Sequence, residues 1–373
     1  MSDLTRRSFL AVGAASAATC SLSAAYRPGL VWSRDLTWTD VSSWPIEGRA
    51  FAKRKAPYDR LPARAEGVVR KAVWDLSRHS AGMLVRFSTT SPQLRVRYRL
   101  TSSRLAMVHM PATGVSGADL YGRDGDDWRW IDVARPNKQD VEHRFFQGRP
   151  TGGKPREFQL YLPLYNGVQK LEIGTLQGET LKPMPSRGPK RKPLVCYGTS
   201  IMHGACASRP GMAWPAIVGR AMDREVINLG FSGNGRMEME VGQFLCELDP
   251  AVFVIDCLPN MSPKQVAERT LPLVKQLRSA RKDTPILMIE DRTFANAWFH
   301  RDRLTAHEQR RKALRGGIEA LQREGVGGIH LLLSDGLLGT DGEGTTDGSH
   351  PNDLGMMRQA QAVVAALRPV IDA

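Results

Sequence analysis

The chain has 373 residues, of which 42% are hydrophobic and 24% charged, enough to bury a core and long enough for two domains of ordinary size. Its 52 Lys and Arg against 38 Asp and Glu leave a formal charge of +14, read first as a solvated basic surface and second as an attraction to anionic polymers such as acidic polysaccharides. No nucleic-acid-binding motif accompanies the charge, and no run of about 18 apolar residues follows the N-terminal segment, so neither nucleic acid nor integral membrane association is expected.

The first element is a targeting segment. Thr5-Arg6-Arg7-Ser8-Phe9-Leu10 runs into a weakly apolar, Ala-rich stretch, and Ser23-Ala24-Ala25 suits cleavage. That order predicts a Tat-type export signal over residues 1–25 and a periplasmic or extracellular protein. Cys20 would leave with the signal. The remaining Cys196, Cys206, Cys246 and Cys257 show no C-x-x-C spacing, so no zinc site and no cofactor are expected, and Cys196 and Cys257 read as buried small hydrophobes.

Residues 33–180 alternate apolar and polar side chains in short runs, such as Leu94-Arg95-Val96-Arg97-Tyr98-Arg99-Leu100, separated by Gly, Pro and Asn-Gly turns. This predicts an N-terminal antiparallel β-sandwich, jelly-roll-like, without a helix of ten or more residues. Residues 181–192 carry prolines and basic side chains and read as a linker. From 193 to 373 apolar runs alternate with helical spacing. The runs are 194–197, 226–229, 252–256, 285–290 and 329–333. Helices are predicted from Pro263, capped by Ser262, from Thr305 to Arg323 and from Asn352 to Val370. A β-α-β series of this kind is a flavodoxin-like α/β/α layer with a parallel sheet, and its ligands meet the carboxyl ends of the strands.

Polar turns follow those strand ends. Gly198-Thr199-Ser200 ends the first strand, Gly230-Phe231-Ser232-Gly233 the second and Cys257-Leu258-Pro259-Asn260 the third, while Asp347-Gly348-Ser349-His350 precedes the last helix. Topology alone brings all four to one sheet edge. A serine hydroxyl is a weak nucleophile until a base takes its proton; His350 is that candidate base, and Asp347 the carboxylate that would orient it. The backbone N–H groups of Ser200 and Gly233 and the side-chain amide of Asn260 are the candidate oxyanion donors.

These four blocks resemble the SGNH (GDSL-type) hydrolases. Gly117-Ala118-Asp119-Leu120-Tyr121, Tyr161-Leu162-Pro163-Leu164-Tyr165-Asn166-Gly167-Val168 and Ala207-Ser208-Arg209-Pro210-Gly211 are similar to the branch with an N-terminal β-sandwich marked by a Gly-x-Asp-Leu-Tyr motif. The resemblance implies a serine esterase acting on a small acyl ester or an acetylated glycan. The alternatives are a lipid or thioester acylhydrolase and an inactive glycan-binding protein. One departure stands out: the family's usual Asp after the first Gly is Thr199 here, which leaves open what braces the turn.

Four further residues are candidate substrate contacts. His203 could line the pocket or cap a turn, and Arg209 could bind an anionic or sugar group or be structural. Glu290 could face the nucleophile loop or pair with Arg292. Trp298, with His300, could form a lid. His109 and His143 read as ordinary residues of the sandwich, and the histidines show no metal-ligand spacing.

Overall fold

Alternation dictates the first half. The computed structural model describes residues 35–148, 154–188 and 191–371; the expected export signal at 1–25 lies outside these residues. Ten strands form: β1 (Leu36–Asp40), β2 (Ile46–Glu47), β3 (Leu84–Thr89), β4 (Gln93–Leu100), β5 (Asp119–Asp124), β6 (Asp127–Val133), β7 (Asp140–Gln147), β8 (Arg156–Tyr161), β9 (Val168–Leu176) and β10 (Leu181–Pro183). In β4, Leu94, Val96, Tyr98 and Leu100 are buried while Arg95, Arg97 and Arg99 turn outward, the two-residue period of a strand with one wet face. One sheet has the order β1-β9-β4-β7 and the other β10-β3-β8-β5-β6, with β2 beside β3. Phe87, Val96, Leu120, Phe158 and Ile173 fill the space between them. The expected antiparallel sandwich is present. Two short helices interrupt it, α1 (Lys71–Ser77) and α2 (Ala112–Val115).

The second half is a five-stranded parallel sheet of β11 (Leu194–Gly198), β12 (Val226–Gly230), β13 (Val252–Asp256), β14 (Ile286–Ile289) and β15 (Ile329–Leu332), in the order β12-β11-β13-β14-β15. Its helices are α3 (Ser200–His203), α4 (Trp214–Ala221), α5 (Met239–Leu245), α6 (Pro263–Ala280), α7 (Arg301–Arg323) and α8 (Asp353–Ile371). Successive strand residues serve opposite layers: Leu194, Cys196, Val252 and Val254 pack with α4 and α8, whereas Val195, Tyr197, Phe253 and Ile255 pack with α5, α6 and α7. Ser262 caps α6 in a reciprocal capping box with Gln265, as its sequence predicts. α7 begins at Arg301, one turn before the expected start. No helix among the described residues is long and apolar enough to cross a membrane.

Two expectations about the halves need correction. Leu181–Pro183 is not linker: it hydrogen-bonds antiparallel to β3, where an edge strand tolerates proline because one side of its backbone faces away from the sheet. Nor does the whole segment before β3 belong to the sandwich. Phe51, Leu61, Ala65, Val69, Val73 and Trp74 bury their side chains in the α5–α6–α7 face of the parallel sheet. Arg60 follows them inward and is fully buried without a carboxylate partner. Its guanidinium donates to four backbone carbonyls, His79 at 3.0 Å, Leu76 at 2.6 Å, Asn228 at 3.1 Å and Gly230 at 2.6 Å, and burial pushes its pKa down to about 9. The N-terminal chain thus crosses to the second half and ties itself to the end of β12.

This crossing has a measurable cost when disturbed. Leu61→Ala, a fully buried side chain far in sequence from the parallel sheet, should lower the unfolding free energy in urea by about 2–5 kcal/mol, as much as Leu273→Ala within α6. A loss below about 0.5 kcal/mol, the size of an ordinary surface substitution, would contradict the packing described here.

Candidate active site

The nucleophile turn is held by backbone contacts. β11 ends at Gly198 and α3 starts at Ser200, so Thr199 occupies the cap position with φ −93° and ψ −163°. Its hydroxyl accepts from Ile201 N at 3.3 Å, and its own N–H donates to Asp256 O at 3.2 Å, at the end of the neighbouring β13. A threonine therefore braces this turn by capping, as Ser and Thr do at helix starts. On the other side, a Cβ at Gly235 would lie 2.0 Å from Gly198 O, so only glycine lets the β12 loop touch the turn. Asn228, buried in β12, donates to Met202 O at 2.8 Å and accepts from Gly230 N at 2.9 Å, fastening α3 to that loop.

Ser200 is 6% exposed, and its Oγ lies 2.8 Å from His350 Nε2. His350 Nδ1 lies 2.7 Å from Asp347 Oδ2. The other carboxylate oxygen, Oδ1, accepts from the His350 N–H at 2.8 Å and the Ser349 N–H at 3.0 Å. Partial burial works against the Asp347 charge, but these N–H donors and the imidazole outweigh it and hold the carboxyl below its ordinary pKa. Asp347 is thus ionised and aimed at Nδ1, which fixes the tautomer that leaves Nε2 free to accept from the serine.

Around the serine, donors converge. Gly233 has φ +70° with open space where a Cβ would point, so its backbone conformation rather than crowding requires glycine. Among the described residues, the Ser200 and Gly233 N–H groups donate to no other backbone group. Asn260 ends the short helical turn Leu258–Asn260 after β13, and its Oδ1 is buried without a partner. Ser262, not Asn260, caps the following helix. The arrangement brings a polarised hydroxyl, a base and three candidate oxyanion donors to the carboxyl edge of β11, β12 and β13.

Of the four candidate substrate contacts, three are structural. His203 is fully buried, donates from Nε2 to Leu164 O (2.7 Å) and stacks on Tyr165 with ring centroids 4.1 Å apart. Burial, followed by the Arg60 charge and His79, pushes its pKa well below the ordinary value. It neither lines the pocket nor caps a turn. Arg209 donates to Asp119 Oδ2 at 3.0 Å and to the Tyr121 hydroxyl, and sits over the Trp130 ring at 4.9 Å. Glu290 is fully buried and pairs with neither Arg292 nor the nucleophile loop. Its two oxygens accept from Arg315 Nε at 2.6 Å and Ser334 N at 3.0 Å, while Arg292 pairs with Asp256 at 2.7 Å. Trp298 differs. It is 80% exposed, paired edge to face with Phe299, on a loop whose Ala295 N–H donates to Gly348 O at 2.8 Å, within the Asp347–His350 turn. His300 stands at the start of α7.

Sequence reasoning missed His109. Its ring stacks on His350 with centroids 5.9 Å apart and planes 26° off parallel. It rides the 101–111 loop of the sandwich, whose base is fixed by buried Asn166: Oδ1 accepts from Ser102 N at 3.0 Å and Nδ2 donates to Ser102 O at 3.0 Å. Loops carry no periodicity, so only the Asn166-Gly167 pair, read as a turn, hinted at an anchor. The Gly-x-Asp-Leu-Tyr motif is the second clamp. Asp119 accepts from Trp130 Nε1 at 2.9 Å, Arg209 and Gly211 N at 2.8 Å, and the preceding Ser208 reaches Asp353 through its N–H at 2.9 Å and its hydroxyl at 2.5 Å.

Because His109 touches the base and not the serine, His109→Ala should lower kcat by about tenfold, roughly 1.4 kcal/mol of barrier, with KM for a small ester little changed. Unchanged kcat would remove His109 from the site.

Comparison with known proteins agrees with this geometry. Residues 191–368 match the family described as GDSL-like lipase/acylhydrolase, and residues 36–181 match the family described as the N-terminus of SGNH-hydrolase-type esterases with the GxDLY motif. No curated protein matches the chain. A Bacteroides ovatus protein described as a GDSL-like lipase is 31% identical, with 91% of this chain and 98% of that one aligned and a TM-score of 0.85. The fold is also shared with the salicylyl-acyltransferase SsfX3 from a tetracycline biosynthetic pathway (18% identity, 90% and 97% covered, TM-score 0.70). An acetyl xylan esterase from Butyrivibrio proteoclasticus shares it as well (11% identity, 90% and 99% covered, TM-score 0.56). The chain belongs to the GDSL-like (SGNH) family of ester-hydrolysing enzymes, in the branch that carries the GxDLY domain.

Proposed function

We propose that the protein is an exported serine esterase that removes small acyl groups, O-acetyl in the first place, from carbohydrate. The hydrogen-bonded series Ser200–His350–Asp347 carries this reading. In it, Ser200 Oγ attacks the ester carbon as Nε2 of His350 takes its proton. The tetrahedral oxyanion forms beside the N–H groups of Ser200 and Gly233 and the amide of Asn260. His350 then protonates the leaving alcohol, and water opens the acyl-enzyme by the same steps in reverse. Asp347 stabilises the imidazolium that exists in between.

The carbohydrate part draws support from outside the reacting atoms. Solved structures of this fold include an acetyl xylan esterase and a Cellvibrio japonicus family two carbohydrate esterase. The exposed Trp298 ring, on the loop beside the Asp347 turn, is an amphipathic surface of the kind that a sugar ring covers. The twin arginine at Arg6-Arg7 supports export. Acyl transfer to an alcohol is the second reading, favoured by the shared fold with the salicylyl-acyltransferase, and differs only in which nucleophile opens the acyl-enzyme.

The tests are kinetic. Ser200→Ala should reduce ester turnover about 10⁴-fold or more, and turnover at the wild-type rate would refute the assignment. Asn260→Ala should cost about 10²–10³ in kcat. Asp347→Asn should cost about 10⁴, the signature of a triad; a loss of only a few fold would make the site a Ser-His dyad. Nitrophenyl acetate should be preferred over nitrophenyl octanoate, and the reverse preference would sink the acetyl reading. An acylated product formed from added alcohol faster than acetate appears would favour transfer.

A further inference from the structure

Behind the imidazole stands a thiol that the proposed hydrolysis does not use. Cys206 follows α3 in a left-handed backbone conformation, φ +67°, that a side chain other than glycine rarely adopts. It is 7% exposed and faces the 345–350 turn; burial opposes its ionisation, Thr346 favours it by a hydrogen bond, and the nearby Asp347 charge adds a smaller opposition. Its Sγ, a carboxylate oxygen of Asp347 and a ring nitrogen of His350 all lie within 4.8 Å of one another. One sulfur, one oxygen and one nitrogen make a donor set that suits a soft or borderline divalent cation better than a hard one such as magnesium. Zinc bonds of about 2.0–2.3 Å place tetrahedral ligand atoms some 3.3–3.8 Å apart, a spacing within the 4.8 Å that the three side chains already share.

We propose that Cys206, Asp347 and His350 form an inhibitory site for a zinc-like divalent cation, so that the same turn that orients the base can be locked by metal. This rests on the triad reading for its effect on activity, but not for binding. Both ring nitrogens of His350 are engaged, Nε2 with Ser200 and Nδ1 with Asp347. Whichever nitrogen turns to the metal must leave one of those partners, and the carboxylate that binds the metal no longer serves the imidazole. Occupancy and catalysis therefore exclude each other. Binding converts Cys206 to its thiolate and releases one proton to solvent, since a coordinating thiol is deprotonated outright.

The experiment adds Cd²⁺ to the full chain and follows the ultraviolet charge-transfer absorption of a cadmium thiolate, then repeats with Zn²⁺ while following nitrophenyl acetate hydrolysis. The wild type should bind one Cd²⁺ saturably through a thiolate and lose at least about 90% of its turnover to Zn²⁺ at saturation, with recovery on adding EDTA. Cys206→Ala, which keeps turnover without metal, should lose the charge-transfer band and need at least about tenfold more Zn²⁺ for half-inhibition. Asp347→Asn, which keeps the thiol, should bind Cd²⁺ at least about tenfold more weakly. Equal Zn²⁺ inhibition of wild type and Cys206→Ala, no thiolate band in the wild type, or a band unaffected by Asp347→Asn would each overturn the site. The band needs no turnover: Cd²⁺ binding with no ester hydrolysis would count against the esterase reading and for the metal site.

Discussion

A carboxylate cannot be buried unpaired, because its desolvation costs several kcal/mol. Asp119 is fully buried at the seam between the sandwich and the parallel sheet, and meets this constraint with donors from both sides: Trp130 from β6, and Arg209 and Gly211 from the loop after α3. The residue before Arg209, Ser208, is bound to Asp353, three positions beyond His350. One buried charge thereby fixes a segment that begins a few residues after Ser200 and touches the start of the helix that follows His350. Arg209 is taken up by this task, and so it stands in the seam and not among substrate contacts. Removing Arg209 would leave Asp119 buried without its charged partner, a change of about 3–5 kcal/mol.

The same rule sorts the carboxylates at the strand ends. Asp256 is paired with Arg292, Glu290 with Arg315, and Asp291 with His307 at 2.7 Å and with Arg310, and all three acids are fully buried. Each is held by a partner behind the sheet edge. Asp347 lies on a turn, 40% exposed at its side chain, with its two oxygens divided between backbone N–H groups and the imidazole. Only a carboxylate that is both ionised and turned toward His350 can serve as the orienting group, and among these four acids Asp347 is the one so placed.

Much of this was legible in the sequence because it lives in local rules. Alternation marked the sandwich strands, apolar runs ending in polar turns marked β11 to β13, and Ser262 before Pro263 marked a helix start. The order of Ser200, Gly233, Asn260 and His350 along a β-α-β series put them at one edge without any contact being known. What was not legible depends on which surface a segment finds. A seven-residue helix such as α1 has too little periodicity to say which sheet it covers, so residues 51–74 read as part of the sandwich although they close the parallel sheet. Glu290 sits next but one to Arg292 in sequence, yet both lie past the end of β14, where no strand period fixes which way they face; the partner of Glu290 comes from α7 and that of Arg292 is Asp256. His203 is near Ser200 in sequence, but all of α3 is buried, and its imidazole is taken up by Tyr165 and Leu164 O from the sandwich half. His109 and Cys206 reach His350 only through loop paths that leave no pattern.

Everything proposed for this site depends on Ser200 being the nucleophile, activated by His350. A fluorophosphonate reacts with a hydroxyl only where a base and oxyanion donors activate it, so mapping the adduct by peptide mass spectrometry tests the claim without knowledge of the substrate. One adduct per chain is expected, on Ser200, formed in step with the loss of esterase activity. An adduct on another residue, or labelling of Ser200 that leaves hydrolysis intact, would contradict it.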